Sequence, residues 1–174
     1  MKRSIGLWQF FGFAFSVFGG TLLHFLYDLL GNAIWVAPFS AVNESTWEHM
    51  KLLFFPTFIY AIFESFFFRE KENFLCIKKR GILLGLFLIP IIFYTYNGVI
   101  GKSPDWVNIT IFFVCAAIEY VYETRLFQKG TPCCKKDRGS IILLCVVAIL
   151  FVLFTFVTPE INIFKDPISG TYGI

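Results

Sequence analysis

A short polar segment, residues 43–49 with the sequence NESTWEH, lies between two apolar segments that are each long enough to cross a membrane. A charged side chain at the centre of a bilayer costs about 2.5–3.5 kcal/mol on insertion scales, so such groups usually face the protein interior, pair with one another or bind a ligand. The polar segment is therefore the first candidate site.

The first apolar segment carries two more groups that could do chemistry. Gly12, Ser16, Gly20, His24 and Asp28 recur at every fourth residue and form one ridge of a helix. Small residues let a neighbouring helix approach closely, so the ridge is expected to carry its histidine and aspartate toward the bundle interior. These two side chains are either a hydrogen-bonded structural pair or two ligands of a metal ion.

The ends of the first two apolar segments could together build a metal site. Two imidazoles and one to three carboxylates suit zinc or manganese, and an open coordination position could activate water. The chain has only two histidines, which excludes a site of three histidines. The candidate ligands are His24, Asp28, Glu44, Glu48 and His49.

The same residues also allow acid–base chemistry without a metal. His49 or His24 would be the general base, a carboxylate such as Glu48 would orient it, and Lys51 would hold an anionic group such as a phosphate. A structural explanation competes for part of this set, because residues 45–48 (STWE) match a capping box at a helix start. That motif explains Ser45 and Glu48 but not the histidine or the lysine.

A second group of acids, Glu64, Glu119 and Glu123, lies toward the other ends of the apolar segments. Arg69, Arg125 and the basic loops could neutralise all three, since ion pairs are common at the ends of membrane helices. A proton relay is the alternative.

The composition identifies the environment in which these groups work. The chain has 174 residues, 57% of them hydrophobic and 20% aromatic, and a mean hydropathy of +0.70, whereas soluble domains are about 45–50% apolar. The net charge of +3 is small and the basic residues lie in short loops, so nucleic acid is not an expected partner. The lipid bilayer is the expected one.

Five segments reach the length of about 20 apolar residues that a spanning helix needs. They predict an all-α integral membrane bundle within a single domain, residues 1–174. The spans are about 5–30, 46–68, 81–97, 106–125 and 139–158, followed by a tail over 159–174. Pro56 and Pro90 fall inside spans and are expected to kink them.

The basic residues predict the orientation of the bundle. Twelve of the 15 fall on one side, and Lys51, Lys102 and Lys165 are left on the other. The positive-inside rule then puts the N-terminus in the cytoplasm and the C-terminus outside. Trp35, Trp47 and Trp106 lie near the outer surface and are expected to anchor helices at the headgroup level.

The tail and the cysteines complete the predictions. The tail has enough apolar surface in Phe164, Ile168 and Tyr172 to fold over the outer mouth of the bundle, and residues 166–170 (DPISG) predict a tight turn. Structural disulfides are not expected, because the cysteines fall in spans or cytoplasmic loops. These are Cys76, Cys115, Cys133, Cys134 and Cys145.

Two stretches carry a family resemblance, residues 41–56 (AVNESTWEHMKLLFFP) and the closing residues 166–174 (DPISGTYGI). With them the chain resembles domain of unknown function 6512, a family of small bacterial multi-pass membrane proteins. The resemblance implies a bacterial plasma membrane and supplies no activity, cofactor or catalytic residue.

Two functional hypotheses follow from the residues. The first is an enzyme, metal-dependent or acid–base, that acts on a lipid or envelope precursor in an outward-facing polar pocket. The second is a solute-binding or accessory subunit of a membrane transport or signalling complex, in which the pocket grips a small polar or anionic ligand, a partner membrane protein or another copy of the chain. In a third, purely structural explanation the polar residues only cap and lock the bundle.

Overall fold

The computed structural model describes residues 2–68, 73–129 and 138–174, which form five long helices and a short 3-10 turn. The helices are α1 (Lys2–Leu29), α2 (Thr46–Phe67), α3 (Phe74–Val99), α4 (Asp105–Lys129) and α5 (Arg138–Phe156), with the 3-10 turn at Asn162–Phe164. All five are long and apolar enough to cross a membrane. The predicted all-α bundle of five membrane-spanning helices is confirmed.

The third helix is longer than the sequence predicted. It begins at Phe74 rather than near residue 81, so Lys78 lies inside a helix and not in a loop. Its side chain is completely buried, and the cost of placing an ammonium there is offset by ion pairs with two glutamates. Lys79 and Arg80 also lie inside α3, so the connection between α2 and α3 contains three basic residues fewer than predicted.

The small-residue ridge of α1 faces the bundle as predicted. Ser16 is fully buried, and a Cβ added at Gly12 would lie 2.6 Å from the rings of Tyr60 and Tyr120. A Cβ at Gly20 would lie 2.5 Å from Phe112. Helices α2 and α4 therefore pack closely against this side of α1, and the ridge fixes which residues of α1 face inward.

The tail docks on the end of the bundle where α1 ends and α2 begins, here called the histidine end. Phe164 is buried, and its ring centroid lies 4.6 Å from that of Trp47. Asn43 Nδ2 donates to the carbonyl oxygen of Gly173 at 2.9 Å. Ile168 does not take part, because it is 72% exposed on the turn.

The predicted turn after residue 166 is present. The Asp166 carboxylate accepts from the backbone N–H of Ile168 at 2.8 Å and from the hydroxyl of Ser169 at 2.7 Å. The N–H of Gly170 donates to the carbonyl of Asp166 at 2.9 Å, and the glycine takes up a φ of +75°, which favours a residue without a Cβ.

One cysteine contradicts the expectation that no structural disulfide forms. Cys76, in the first turn of α3, is disulfide-bonded, whereas Cys115 and Cys145 are free. The prediction considered only sequence spacing and compartment, and neither reports which cysteines the fold brings together. Cys133 and Cys134 lie outside the described residues.

The tryptophans divide into two kinds. Trp35 and Trp106 are 73% and 67% exposed, as membrane anchors would be. Trp47 instead packs inside the histidine end, with ring centroids 4.6 Å from those of both Phe151 and Phe164. Its predicted role as an anchor is wrong, because the docked tail and α5 cover it.

Candidate metal centre

The polar segment before α2 folds into a helix cap. The Ser45 hydroxyl accepts from the backbone N–H of Glu48 at 3.4 Å, as a capping box requires. The reciprocal contact differs from the prediction. Asn43 Oδ1 accepts from the N–H of Ser45 at 2.9 Å, so the Glu48 carboxylate is free to accept from the N–H of Val42 at 3.1 Å instead.

The cap places one carboxylate of the segment between the two histidines of the chain. Glu44 Oε1 lies 3.7 Å from His24 Nε2, and Glu44 Oε2 lies 3.6 Å from His49 Nε2. The two imidazole centroids are 5.7 Å apart. One donor atom from each of the three residues lies within 4.8 Å of the others, and among the described residues this is the group that could hold a metal ion.

The ring of His49 is oriented by the backbone. Its Nδ1 lies 3.0 Å from the carbonyl oxygen of Ser45. A carbonyl oxygen only accepts, so Nδ1 carries the proton of this hydrogen bond, and Nε2 is the ring nitrogen that faces Glu44. This is the arrangement in which a backbone carbonyl fixes the tautomer of a metal-binding histidine.

The ring of His24 is held less firmly. Its Nδ1 is buried and has no hydrogen-bond partner in the described parts of the chain. The His24 ring instead packs edge-on against Phe25, with centroids 4.7 Å apart. A buried ring nitrogen without a protein partner is a group that a ligand or a water molecule could satisfy.

Two cavities adjoin the histidines. The larger, of about 310 Å³, is bounded by α1, α2 and α4, and both His24 and His49 line it. The rest of its wall is mainly apolar and includes Phe25, Ile109, Phe112 and Phe113. The smaller cavity, of about 20 Å³, is lined by Glu44 and His49 and extends to Ile89 and Phe93 of α3.

The tail does not cover these cavities. In the described structure their lining residues come from α1 to α4 and the segment before α2. The tail lies on a different part of the histidine end, where Tyr94 donates to the carbonyl of Asn162 at 3.0 Å. The tail thus docks on the end of the bundle where it was expected, but it does not line the cavities beside the histidines.

Three predicted site residues lie away from the cluster. Asp28 is exposed, because four-residue steps rotate about 40° each around a helix and carry the end of the ridge off the buried face.

The other two, Glu48 and Lys51, pair with each other. Glu48 Oε2 lies 2.5 Å from Lys51 Nζ. The lysine also donates to the carbonyl of Ala37 at 2.8 Å and to Thr155 Oγ1 at 3.1 Å, and this buried network ties α2 to α5.

Asn108 on α4 was not predicted and lines both cavities. Its Oδ1 accepts from the hydroxyl of Ser103 at 2.7 Å, which leaves its NH2 group to meet a ligand. In the sequence, Asn108 stands out only as a polar amide side chain within an otherwise apolar span. Its position beside His49 depends on how α4 packs, which the sequence pattern does not give.

The second set of acids is neutralised differently from the prediction. Lys78 Nζ, rather than Arg125, lies 2.7 Å from carboxylate oxygens of both Glu64 and Glu123. Arg69 lies outside the described residues. Glu119 is fully buried, and neither of its carboxylate oxygens has a hydrogen-bond partner in the described structure.

Comparison with known proteins agrees with the resemblance carried by the two motifs. The chain matches no curated protein and no solved structure. One family model, "Family of unknown function (DUF6512)", matches residues 2–174. That match includes all five helices, the polar segment before α2 and the docked tail. The chain, with its five helices long enough to cross a membrane, therefore belongs to this family of unknown function.

Proposed function

We propose that the protein is a metal-dependent membrane enzyme that acts on a lipid or envelope precursor. His24, Glu44 and His49 hold a zinc or manganese ion in this proposal. The observation that carries it is the convergence of two imidazoles and one carboxylate, with donor atoms within 4.8 Å of one another, where both imidazoles line a mainly apolar cavity.

The distances suit a metal ion after small side-chain movements. Donor atoms bound to zinc at 2.0–2.2 Å in a tetrahedron lie about 3.3–3.6 Å apart. Glu44 makes its contacts through different oxygens, Oε1 to His24 at 3.7 Å and Oε2 to His49 at 3.6 Å. One donor atom from each residue lies within 4.8 Å of the others, so the three side chains must move closer together by on the order of 1 Å. Two histidines and a glutamate are a donor set of catalytic zinc sites, which keep one position open. A zinc ion bound there would supply an activated water molecule for hydrolysis.

The solvent accessibility of the three side chains supports a catalytic metal site over a purely structural one. The side chains of His24, His49 and Glu44 are 28%, 20% and 42% exposed. Structural zinc sites are closed by four protein ligands, whereas three ligands meet here. Asn108 lies beside His49, and its NH2 group could donate to an oxygen of the substrate.

The larger cavity supports a substrate with an apolar chain. Phe25 and Ile109, which line it, are 60% and 58% exposed on α1 and α4, so the cavity adjoins surface that faces the bilayer. An acyl chain in this groove would bring its polar head to the histidines. If the basic residues orient the chain as predicted, that head belongs to the outer leaflet.

An activity assay tests the proposal. The protein, purified in detergent and supplied with zinc or manganese, is offered fluorogenic carboxylic esters and phosphate esters, each with a long and a short acyl chain. We expect turnover that prefers the long chain, requires the metal, and is lost in His49→Ala but kept in Asp28→Asn. Equal turnover in wild type and His49→Ala would contradict the proposal.

Metal binding without turnover would separate the two parts of the proposal. A metal retained by wild type, lost in His49→Ala and accompanied by a co-purifying membrane protein would favour the accessory role over the enzyme. Unchanged thermal stability in chelator, with no metal bound to the wild type, would leave only the structural explanation of the cluster.

A further inference from the structure

Two carboxyl groups of α4 lie directly against the backbone of α3. Glu119 and Glu123 are one turn apart on α4, and Gly85 and Gly81 lie opposite them on α3. A Cβ at Gly85 would lie 2.5 Å from Glu119 Oε2, and a Cβ at Gly81 would overlap the Glu123 carboxyl group. The two glycines therefore make the space that these carboxyl groups occupy.

A single lysine faces the acids at this place. Lys78 Nζ lies 2.7 Å from oxygens of Glu64 and Glu123, and Gln9 Nε2 donates to Glu64 Oε1 at 2.7 Å. All four side chains are at most 2% exposed. Two of the three carboxyl groups thus have a cationic partner.

The third carboxyl group has none. Glu119 is 0% exposed, and neither oxygen accepts or donates a hydrogen bond within the described residues. An ionised carboxylate left unpaired in an apolar interior carries an uncompensated charge, which is strongly unfavourable. A bound proton removes that charge.

The other groups around Glu119 do not supply a second cation. Lys78 is shared between the two other acids, and its Nζ lies 5.1 Å from the ring centroid of Tyr120 and 5.8 Å from that of Tyr60. The titratable and charged groups that interact with the carboxyl are Glu123, Tyr120 and Cys115 on α4 and Lys78 on α3. Around the lysine lie Glu64 and Tyr60 on α2 and the neutral Gln9 on α1. Together, the three carboxyl groups and the one ammonium carry no net charge when two protons are bound to the carboxyl groups.

We infer that Glu119 is a proton-binding site in the membrane interior, with Lys78, Glu64 and Glu123 setting the charge around it. The site is separate from the histidine cluster and independent of the proposed metal chemistry. An ionisable residue buried inside a membrane protein is characteristic of proton relays and ion pathways, so the chemical species bound here is a proton that exchanges with solvent.

Chemical labelling of the wild-type protein tests this inference. Dicyclohexylcarbodiimide enters membranes and reacts with protonated carboxyl groups, and mass spectrometry of peptides locates the adduct. About one exposed glutamate in 500 is protonated at pH 7, so at that pH we expect labelling of Glu119 to exceed that of the exposed Glu160 at least about tenfold. Sodium chloride added at constant pH should not protect it.

Infrared spectroscopy supplies a second measurement on matched variants. The carbonyl stretch of protonated carboxylic acids should be present in wild type, shift in D2O, lose intensity in Glu119→Gln and keep its intensity in Glu160→Gln. A band of unchanged intensity in Glu119→Gln would overturn the inference. So would equal labelling of Glu119 and Glu160, or protection of Glu119 by sodium, and both of these are read on the wild-type chain even if the variant fails to fold.

Discussion

At the scale of single residues, the position of His49 in the first turn of α2 decides its role. Its Nδ1–H donates to the carbonyl of Ser45 at 3.0 Å, and its Nε2 faces Glu44 at 3.6 Å. A backbone carbonyl cannot be removed by substitution, so the ring keeps this orientation in any variant that preserves the cap. The imidazole is thus prepared to donate a lone pair to a metal ion.

Replacement of the shared carboxylate tests this geometry. In Glu44→Gln we expect zinc affinity to fall by more than the roughly 10–100-fold that loss of an outer-sphere partner costs, because a direct ligand and its negative charge are removed. Competition with a chelator of known affinity measures the change. Asp28→Asn, which alters an exposed carboxylate of α1, is the control, and an equal loss in both variants would refute the assignment.

The buried pair of Glu48 and Lys51 leads to a prediction about stability. Lys51→Met leaves a buried carboxylate without its cation, and breaking a buried pair in this way costs about 3–5 kcal/mol. We expect a clear fall in the thermal unfolding midpoint in detergent, largely restored in the double variant Glu48→Met/Lys51→Met. A double variant less stable than Lys51→Met would show that the pair is not the reason.

Residue types in the sequence indicated the site only in part. His24, Glu44 and His49 were all among the predicted ligands, because polar groups next to hydrocarbon must be used or paired. Glu48 and Lys51 point away from this cluster because they lie on other faces of α2. Lys51, for example, lies about 200° around the helix from His49. Spacing along the chain could not show which face meets α1.

At the scale of helices, the glycine ridge of α1 sets the distance to its neighbours. Gly20 lies where an added Cβ would be 2.5 Å from Phe112 and 2.9 Å from the carbonyl oxygen of Leu52. Both Phe112 and Leu52 also line the larger cavity. Separation of α1 from α2 and α4 at this level would therefore move His24 away from His49.

A pair of glycine substitutions tests that packing. Gly20→Ala should lower the thermal unfolding midpoint and weaken metal binding, because the new methyl group pushes against the backbone of α2. Gly6→Ala should leave the midpoint unchanged or raise it, since nothing lies within 4 Å of its added Cβ and alanine favours a helix by about 1 kcal/mol over glycine. Equal effects of the two substitutions would argue against close packing along the ridge.

The helices themselves could largely be predicted, because runs of about 20 apolar residues have few alternatives in a bilayer. The start of α3 could not. The basic residues around Lys78 predicted a loop, yet its side chain is buried by ion pairs with glutamates of α2 and α4. Partners that are distant in sequence overrode the local signal.

At the scale of the whole molecule, the docked tail connects the last residues of the chain to α2, α3 and α5. Phe164 is 4% exposed and its ring packs at a tilt against Trp47, so Phe164→Ala should cost about 3–5 kcal/mol, as for other buried phenylalanines. Limited proteolysis should then cut the tail faster than in wild type. Ile168→Ala, on the exposed turn, should change neither, and similar cleavage in both variants would mean that the tail is held by other contacts.

The orientation of the bundle remains a prediction from the basic residues. In a background without the native cysteines, Ile168→Cys should react with a membrane-impermeant maleimide added outside intact cells, and Lys129→Cys should react only after lysis. Both positions are exposed. The reverse pattern would place the histidine end in the cytoplasm and would also fit better with the disulfide at Cys76, since cytoplasmic disulfides are rare.

The most direct test of the metal centre is the metal content of the purified protein. Element-resolved mass spectrometry of the detergent-purified wild type should find close to one zinc or manganese ion per chain, and the same measurement on His49→Ala should find close to none. A wild type that holds no metal after incubation with both ions, or a variant that holds as much as the wild type, would contradict a metal site at His24, Glu44 and His49.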